Sequence, residues 1–176
     1  MSRNILIVVD MQNDFISGSL GTSEAQELPE AVAMKIRAFE GEVLYTQDTH
    51  GEDYLESAEG KDLPVEHCIH GTPGWEVHPV VAEALAEHDA QQFIKYTFGS
   101  TDLVDHLVAS HMDEKIESIE LLGICTDICV VSNALMIKAA LPEIPISVDS
   151  TLCAGVTPEK HDAALEVLRS CLVEVY

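Results

Sequence analysis

Residues 118–130 are Ser-Ile-Glu-Leu-Leu-Gly-Ile-Cys-Thr-Asp-Ile-Cys-Val, and they join a predicted strand to a predicted helix. The strand covers Ser118–Gly123, and the helix covers about Val130–Leu141, where apolar residues recur with helical spacing. We expect Thr126 or Asp127 to cap this helix, because their side-chain oxygens accept hydrogen bonds from the free amides of a first turn. A strand that leads directly into a helix is typical of an α/β fold.

Cys129 falls in or near the first turn of this helix, at the carboxyl end of a predicted central strand. The helix dipole and the free amides at that place favour an anion, so we expect its thiol to ionise more readily than a free one. The position alone also fits a small, inert, buried cysteine at a strand–helix corner. The residues at the ends of the other strands favour a nucleophile.

The alternation of strands and helices continues along the chain. It predicts one α/β domain over residues 1–176 with three layers: a central, mostly parallel sheet of about six strands in Rossmann-like topology, and helices on both faces. The predicted strands are Asn4–Val9, Glu42–Gln47, Gln92–Lys95, Ser118–Gly123, Ile146–Asp149 and Leu172–Val175. The predicted helices are Leu28–Phe39, Pro79–His88, Leu103–Met112, Val130–Leu141 and Pro158–Ser170.

The composition restricts the partners of the protein. Lys and Arg number 9 against 31 Asp and Glu, so the formal net charge at pH 7 is −22. A surface of this charge repels nucleic acid and anionic lipid, and we expect neither as a partner. The 5 cysteines are scattered, and the N-terminal stretch has neither a secretory nor a membrane-spanning pattern. We therefore expect free thiols and a cytoplasmic location.

Reactive or polar residues follow four of the predicted strands. Asp10, Asp48, Lys95 and the turn Cys125–Cys129 lie at or just beyond the carboxyl ends of those strands. In open α/β sheets, ligands bind at this edge. An acid, an amine and a thiol are sufficient for covalent acyl transfer: the cation favours the thiolate, and the carboxylate takes the thiol proton and later passes it to a leaving group.

A second group of residues suits a metal ion. Asp48 and His50 project to the same face of an extended segment, and His67 lies in the same irregular loop. Two imidazoles and a carboxylate are suitable ligands for zinc, iron or manganese, and either Glu59 or Glu56 adds a fourth oxygen. Asp-x-His pairs also occur by chance, so surface histidines remain the alternative interpretation.

The order of five segments resembles that of the isochorismatase-like cysteine hydrolases. The segments are Ile-Val-Val-Asp-Met-Gln-Asn-Asp-Phe at residues 7–15, Asp-Thr-His at 48–50, His-Cys-Ile-His-Gly-Thr at 67–72, Lys95, and Gly-Ile-Cys-Thr-Asp-Ile-Cys-Val at 123–130. Within that family the chain is most similar to the nicotinamidase/pyrazinamidase branch. The resemblance extends from residue 4 to the last strand, and it implies the isochorismatase-like fold.

The resemblance implies a role for each catalytic position. Cys129 matches the nucleophile that attacks a carboxamide carbon, Asp10 the acid/base, and Lys95 its cationic partner. The backbone amides of Cys125 and Cys129 match the oxyanion hole. The family usually has a cis peptide bond in this turn, which corresponds to Ile124–Cys125 here.

The resemblance also implies a cofactor. Asp48, His50 and His67 match the metal ligands of the nicotinamidase branch, and Glu59 is preferred over Glu56 as the extra ligand. We expect one divalent transition metal ion, zinc first, with iron and manganese as alternatives. In that branch the metal is thought to hold the pyridine nitrogen of the substrate.

The expected substrate pocket departs from the family pattern. Phe15 matches an aromatic wall, but Leu63 stands where nicotinamidases commonly carry a tryptophan. We expect Tyr96 and Phe98, in an atypical stretch after the lysine, to line the pocket as well.

These features predict a cysteine amidohydrolase that releases ammonia from a small carboxamide through a thioester, with nicotinamide as the first candidate. A related hydrolase of another amide, such as an N-carbamoyl or ureido compound, is one alternative. A non-catalytic metal-binding or interaction protein is the other. The resemblance further implies a homo-oligomer.

Overall fold

The computed structural model describes residues 3–176; residues 1 and 2, which belong to the predicted domain, lie outside the described residues. Its strands are β1 (Arg3–Val9), β2 (Glu42–Asp48), β3 (Gln91–Lys95), β4 (Ile116–Ile124), β5 (Ile146–Ala154) and β6 (Glu174–Val175). Its helices are α1 (Asn13–Ile16), α2 (Ser23–Gln26), α3 (Pro29–Ala38), α4 (Ala58–Asp62), α5 (Pro79–Glu87), α6 (Thr101–Asp113), α7 (Val131–Ala140) and α8 (Pro158–Ser170). A π-helical turn, Thr126–Val130, precedes α7.

The strands form a single six-stranded sheet in the order β3-β2-β1-β4-β5-β6, and every neighbouring pair is parallel. The chain steps outward from β1 to β3 through α3 and α5. It then returns through α6 to β4 and continues outward on the other side through α7 and α8. Because such crossovers are right-handed, the reversal of direction places α3 and α5 on one face and the later three helices on the other. The contacts between helices support this division into two faces, since α3 packs on α5 and α7 packs on both α6 and α8. The predicted three-layer fold is confirmed.

The carboxyl-terminal parts of the two central strands are continuously apolar because helices cover both faces of the sheet. Residues 5–9 of β1 are all buried, and so are residues 121–124 of β4. These two strands are neighbours, and the direction of winding reverses between them. In open α/β sheets this reversal opens a crevice at the carboxyl ends of the strands, where ligands bind. No helix within residues 3–176 has the length and apolar character needed to cross a membrane.

The predicted caps before α7 are wrong. Cys125 has the extended backbone of a cap residue, and Thr126 and Asp127 are already inside the π-helical turn. Their side chains bind the α8 region instead. Thr126 Oγ1 lies 2.8 Å from His161 Nδ1, and Asp127 Oδ1 accepts a hydrogen bond from the Val156 amide at 2.9 Å. The cap is Cys125, one residue before Thr126 and two before Asp127. The turn is π-helical because the Val130 amide reaches back five residues to the Cys125 carbonyl at 3.0 Å.

Candidate active site

Asp10 occupies the first position after β1, at the crevice. Its backbone adopts φ of 47°, a left-handed conformation that residues other than glycine rarely take and that recurs at functional sites. The side chain is fully buried. Oδ1 accepts a hydrogen bond from Thr46 Oγ1 at 2.7 Å, and Oδ2 lies 2.7 Å from Lys95 Nζ. Oδ2 therefore faces the Lys95 amine, which also contacts Cys129 Sγ.

Lys95 ends β3 and joins three groups in the crevice. Its Nζ lies 2.7 Å from Asp10 Oδ2, 3.0 Å from Asp48 Oδ1 and 3.5 Å from Cys129 Sγ. Burial alone would lower the pKa of this amine, but Asp10, Cys129 and Asp48 together raise it well above its ordinary value. The side chain is thus a fixed cation that contacts both the carboxylate and the thiol.

The expectation that Cys129 ionises readily is wrong for this arrangement. The residue is only 4% exposed, and burial raises the pKa of its thiol well above the ordinary value. The charge of Asp10 raises this pKa further, and Lys95 opposes the increase. Burial also raises the pKa of Asp10, with Lys95 again lowering it. Burial thus disfavours the charged form of both the thiol and the carboxyl, and Lys95 is the cation that opposes this effect at each of them.

The turn that carries Cys129 is fixed by a close contact of the strand before it and by hydrogen bonds within the turn. A Cβ on Gly123, which has φ of 122°, would collide with the backbone of Val9, so only glycine allows β4 to approach β1 so closely here. A cis peptide bond joins Ile124 to Cys125, as the resemblance implied. The Cys125 carbonyl accepts hydrogen bonds from the amides at positions 128 and 130, which flank Cys129.

Asn133, on α7, ties this turn to the segment after β3. The side chain is fully buried, and its Nδ2 donates to the Cys129 carbonyl at 2.8 Å and to the Phe98 carbonyl at 3.2 Å. Its Oδ1 accepts from the Ser100 amide at 2.9 Å, at the start of α6. Sequence reasoning missed this residue. The one feature of the sequence that could have indicated it is an amide side chain four residues, about one helical turn, after the nucleophile.

Asp48, His50 and His67 converge beside the Lys95 amine. The ligand atoms of these three residues lie within 4.8 Å of one another, and His50 Nε2 is 3.0 Å from Asp48 Oδ2. His67 Nδ1 donates to the Val65 carbonyl at 2.8 Å, which fixes the tautomer and leaves the Nε2 lone pair for a cation. Two imidazole nitrogens and a carboxylate oxygen fit a divalent transition metal ion.

The structure places Glu59 beside this cluster. Its Oε1 lies 3.5 Å from His67 Nε2 and 3.8 Å from His50 Nε2. Glu56, the alternative ligand, is exposed, and no ion pair joins it to these histidines in the described chain. Glu59 is only half-buried and stands outside the tight group of three, so its oxygen suits a weaker or water-mediated contact.

Two further residues that sequence reasoning missed position the metal ligands. The buried Gln12 binds the backbone of Asp48 twice: Nε2 donates to the carbonyl and Oε1 accepts from the amide, each at 2.8 Å. Asp14 Oδ2 accepts from the amide of Cys68 at 2.8 Å, next to His67. Both belong to the segment 7–15, and the structure explains its polar residues as anchors for the two metal-ligand segments.

A cavity of about 780 Å³ lies against Cys129 and the metal-ligand cluster. Its lining includes all four predicted pocket residues, Phe15, Leu63, Tyr96 and Phe98, together with Cys129 and the metal-ligand side chains. Asp10 and Lys95 are buried and do not line it. It also touches residues that the sequence did not indicate, namely Leu20, Ile128, Val156 and Lys160. Trp75, the single tryptophan, is not part of this wall; its Nε1 donates to Thr49 Oγ1 at 2.8 Å.

A model of the isochorismatase domain matches residues 4–176. The chain belongs to the isochorismatase family. Among its relatives, the nicotinamidase/pyrazinamidase of Mycobacterium tuberculosis is 29% identical over 181 residues, which cover 97% of this chain and 96% of that protein. The resemblance inferred from the five segments is confirmed.

Solved structures of isochorismatase-family proteins agree. The nicotinamidase/pyrazinamidase PncA of Bacillus subtilis superposes with a TM-score of 0.83 at 25% identity, over 98% of each chain. The pyrazinamidase of Pyrococcus horikoshii, solved in complex with zinc, has a TM-score of 0.80 at 24% identity over 99% of this chain and 98% of that one. At this identity the second comparison supports the fold alone.

Proposed function

We propose that the protein is a nicotinamidase-like amidohydrolase, which converts nicotinamide to nicotinate and ammonia through a thioester on Cys129. One observation carries the proposal: the buried Lys95 Nζ contacts both Asp10 and Cys129 Sγ, and Cys129 lines a cavity that also contains the Asp48, His50 and His67 cluster. The names of the Mycobacterium and Bacillus relatives support the substrate.

The proposed acylation step moves one proton and exchanges one bond. Asp10 Oδ2 takes the proton of Cys129 as Sγ attacks the carboxamide carbon, which forms the S–C bond and places a negative charge on the carbonyl oxygen. The amides of Cys125 and Cys129 donate hydrogen bonds to that oxygen. When the oxyanion collapses, the C–N bond breaks, and Asp10 returns the proton to the leaving nitrogen. Ammonia departs and a thioester remains.

Hydrolysis of the thioester repeats the cycle with water. Asp10, again a carboxylate, accepts a proton from water as its oxygen attacks the acyl carbon, and the same two amides receive the oxyanion. Collapse breaks the C–S bond, the proton on Asp10 returns to sulfur, and nicotinic acid leaves and loses its carboxyl proton to solvent as nicotinate. Lys95 keeps its charge throughout and stabilises whichever of Asp10 or Cys129 is the anion.

Asp48, His50 and His67, with Glu59 at the rim, would hold one divalent transition metal ion, for which we propose zinc. When bound, the ion supplies a Lewis-acidic point for the pyridine nitrogen of the substrate. The chain itself keeps the ligand atoms in place through Gln12 and the Val65 carbonyl.

The two cysteines of the turn provide the test. Ammonia release from nicotinamide by the zinc-loaded protein should be lost in Cys129→Ala and retained in Cys125→Ala, because Cys125 contributes only its backbone amide. Mass spectrometry of a rapidly quenched reaction should find a nicotinoyl adduct on wild type and on Cys125→Ala. No ammonia release by the wild type, or equal loss in both variants, would contradict the proposed mechanism.

A further inference from the structure

The cavity is divided by depth into a polar floor and an apolar outer part. Asp48, His67 and Cys129, on the floor, are all buried. The outer wall carries Leu63, Phe98 and Val156, which are 36%, 45% and 40% exposed. Large apolar side chains that remain exposed around one cavity indicate a surface that a ligand covers.

The cavity is also larger than a single-ring amide requires. Its volume of about 780 Å³ lies in the upper part of the range of roughly 300–1,000 Å³ typical of pockets for drug-sized ligands. Nicotinamide, with one ring and one carboxamide group, is much smaller than a drug-sized ligand. A ring small enough to fit on the floor would therefore leave much of the outer apolar wall uncovered.

We propose that the substrates of this site include nicotinamides with a neutral apolar substituent at the 5-position of the ring, and that the substituent packs against Leu63, Phe98 and Val156. This inference rests on the proposed function, since it assumes a pyridine carboxamide on the floor. It names the class of amide that the outer cavity selects.

The position of the substituent follows from the layout of the floor. The nucleophile Cys129 and the metal-ligand cluster lie on either side of the Asp48–Lys95 ion pair, in which Lys95 contacts the thiol and Asp48 contacts His50. A ring with its carboxamide at the thiol and its nitrogen at the cluster turns its 2-position toward this ion pair. The 5-position is diametrically opposite, so it faces the cavity mouth.

Charge restricts the substituent as well. Glu59 and Asp62 line the cavity, Lys160 is the one Lys or Arg among its lining residues, and the whole chain carries a formal charge of −22. An anionic substituent would be repelled by this field, whereas a neutral phenyl group loses only water.

The test compares nicotinamide, 5-phenylnicotinamide and 2-phenylnicotinamide as substrates of the zinc-loaded protein. We expect 5-phenylnicotinamide to have a KM about fivefold or more below that of nicotinamide, because the phenyl group buries apolar surface. We expect kcat/KM for 2-phenylnicotinamide to be about 100-fold or more below that of its isomer, because the floor leaves no room for the substituent. Calorimetry with Cys129→Ala gives a second readout: 5-phenylnicotinate should bind with a more negative heat-capacity change than nicotinate.

A pair of valine variants locates the subsite. Val156→Asp should raise KM for 5-phenylnicotinamide about tenfold more than it raises KM for nicotinamide, because a carboxylate replaces part of the apolar wall. Val167→Asp is the matched control, since Val167 is equally exposed on α8 but does not line the cavity. It should leave the ratio of the two KM values unchanged.

The outcomes separate the two proposals. Hydrolysis of nicotinamide with no binding or hydrolysis of 5-phenylnicotinamide would overturn the subsite and leave the proposed function standing. Equal turnover of the two phenyl isomers would overturn the orientation on which the subsite depends. Hydrolysis of 5-phenylnicotinamide without that of nicotinamide would support the subsite and overturn nicotinamide as the substrate. No binding or turnover of any of the compounds would overturn both proposals.

Discussion

Thr46→Val tests whether Asp10 is the proton acceptor. The Thr46 hydroxyl donates to Asp10 Oδ1 at 2.7 Å, and both side chains are buried. Valine keeps the shape of threonine but removes this donor, and the contact of Asp10 with Lys95 remains. A hydrogen bond to a charged group contributes about 1.5–3 kcal/mol. Since about 1.4 kcal/mol corresponds to a change of one in pKa, the substitution should raise the pKa of Asp10 by about one to two pH units.

The sign of the effect on rate follows from the role of Asp10. Burial already raises the pKa of this carboxyl, Lys95 lowers it, and the charge of Asp48 raises it again. The substitution leaves these groups and Cys129 in place. Because only the carboxylate accepts a proton from the thiol, a higher pKa moves the acidic limb of the kcat/KM profile upward by the same amount. Below the wild-type midpoint, kcat/KM should therefore fall about 10- to 100-fold, while the activity above the shifted limb changes little.

The assay is ammonia release from nicotinamide at low substrate concentration, from about pH 4 to about pH 9. Thr151→Val is the matched control, because Thr151 Oγ1 also donates to a carboxylate, Asp149 Oδ1 at 2.6 Å, on strand β5 outside the cavity. Its profile should coincide with that of the wild type. If a folded Thr46→Val protein also gave the wild-type profile, Asp10 would not be the group whose ionisation sets the acidic limb.

Three other substitutions test the positioning of the site. His67→Ala should reduce zinc content from about one ion per chain to a trace, measured by elemental analysis after dialysis; retention of the ion would contradict the ligand assignment. Gln12→Ala removes two buried hydrogen bonds to the backbone of Asp48 and should weaken zinc binding about 10- to 100-fold in a competition titration with a chelator. An unchanged affinity would exclude that anchoring role. Asn133→Asp keeps the acceptor but loses both donors, so kcat should fall about 10- to 100-fold with KM little changed. A uniform loss of folded protein, without a change in kcat of the remainder, would instead indicate a purely structural residue.

The sequence predicts the fold well because the signal of each strand and helix is local, and because the alternation of strands and helices along the chain predicts a parallel sheet. Apolar runs such as the one ending at Val9 are buried on both faces, so their pattern is continuous and easy to recognise. Parallel strands bring their carboxyl ends to one edge, which is why residues as far apart as Asp10 and Lys95 were expected to meet. β5 was less predictable. It continues from Asp149 to Ala154 through the polar Ser150 and Thr151, where the alternation that marks a strand is lost.

Features that depend on distances across the fold could not be predicted. The contacts of Gln12 with Asp48 and of Asn133 with the nucleophile turn join segments that sequence spacing does not relate. The resemblance implied Glu59 over Glu56, but only the structure supplies the physical reason: the short helix α4 begins at Ala58 after a residue that caps it. That helix turns Glu59 toward the histidines.

The charge of the buried site explains why the environment of Cys129 differs from the one expected at a helix terminus. Two carboxylates, Asp10 and Asp48, share a single ammonium group, Lys95, out of contact with water. Loss of the thiol proton to solvent would place a second anion beside the buried Asp10 carboxylate in a medium of low dielectric constant, which is costly. Transfer of that proton to Asp10 moves the negative charge from oxygen to sulfur and leaves the net charge of the site unchanged. Lys95 contacts both atoms between which the charge moves, so it stabilises the site before and after the transfer. The reactivity of Cys129 therefore depends on this pairing with Asp10 and Lys95, and the thiol needs no lowered pKa at rest.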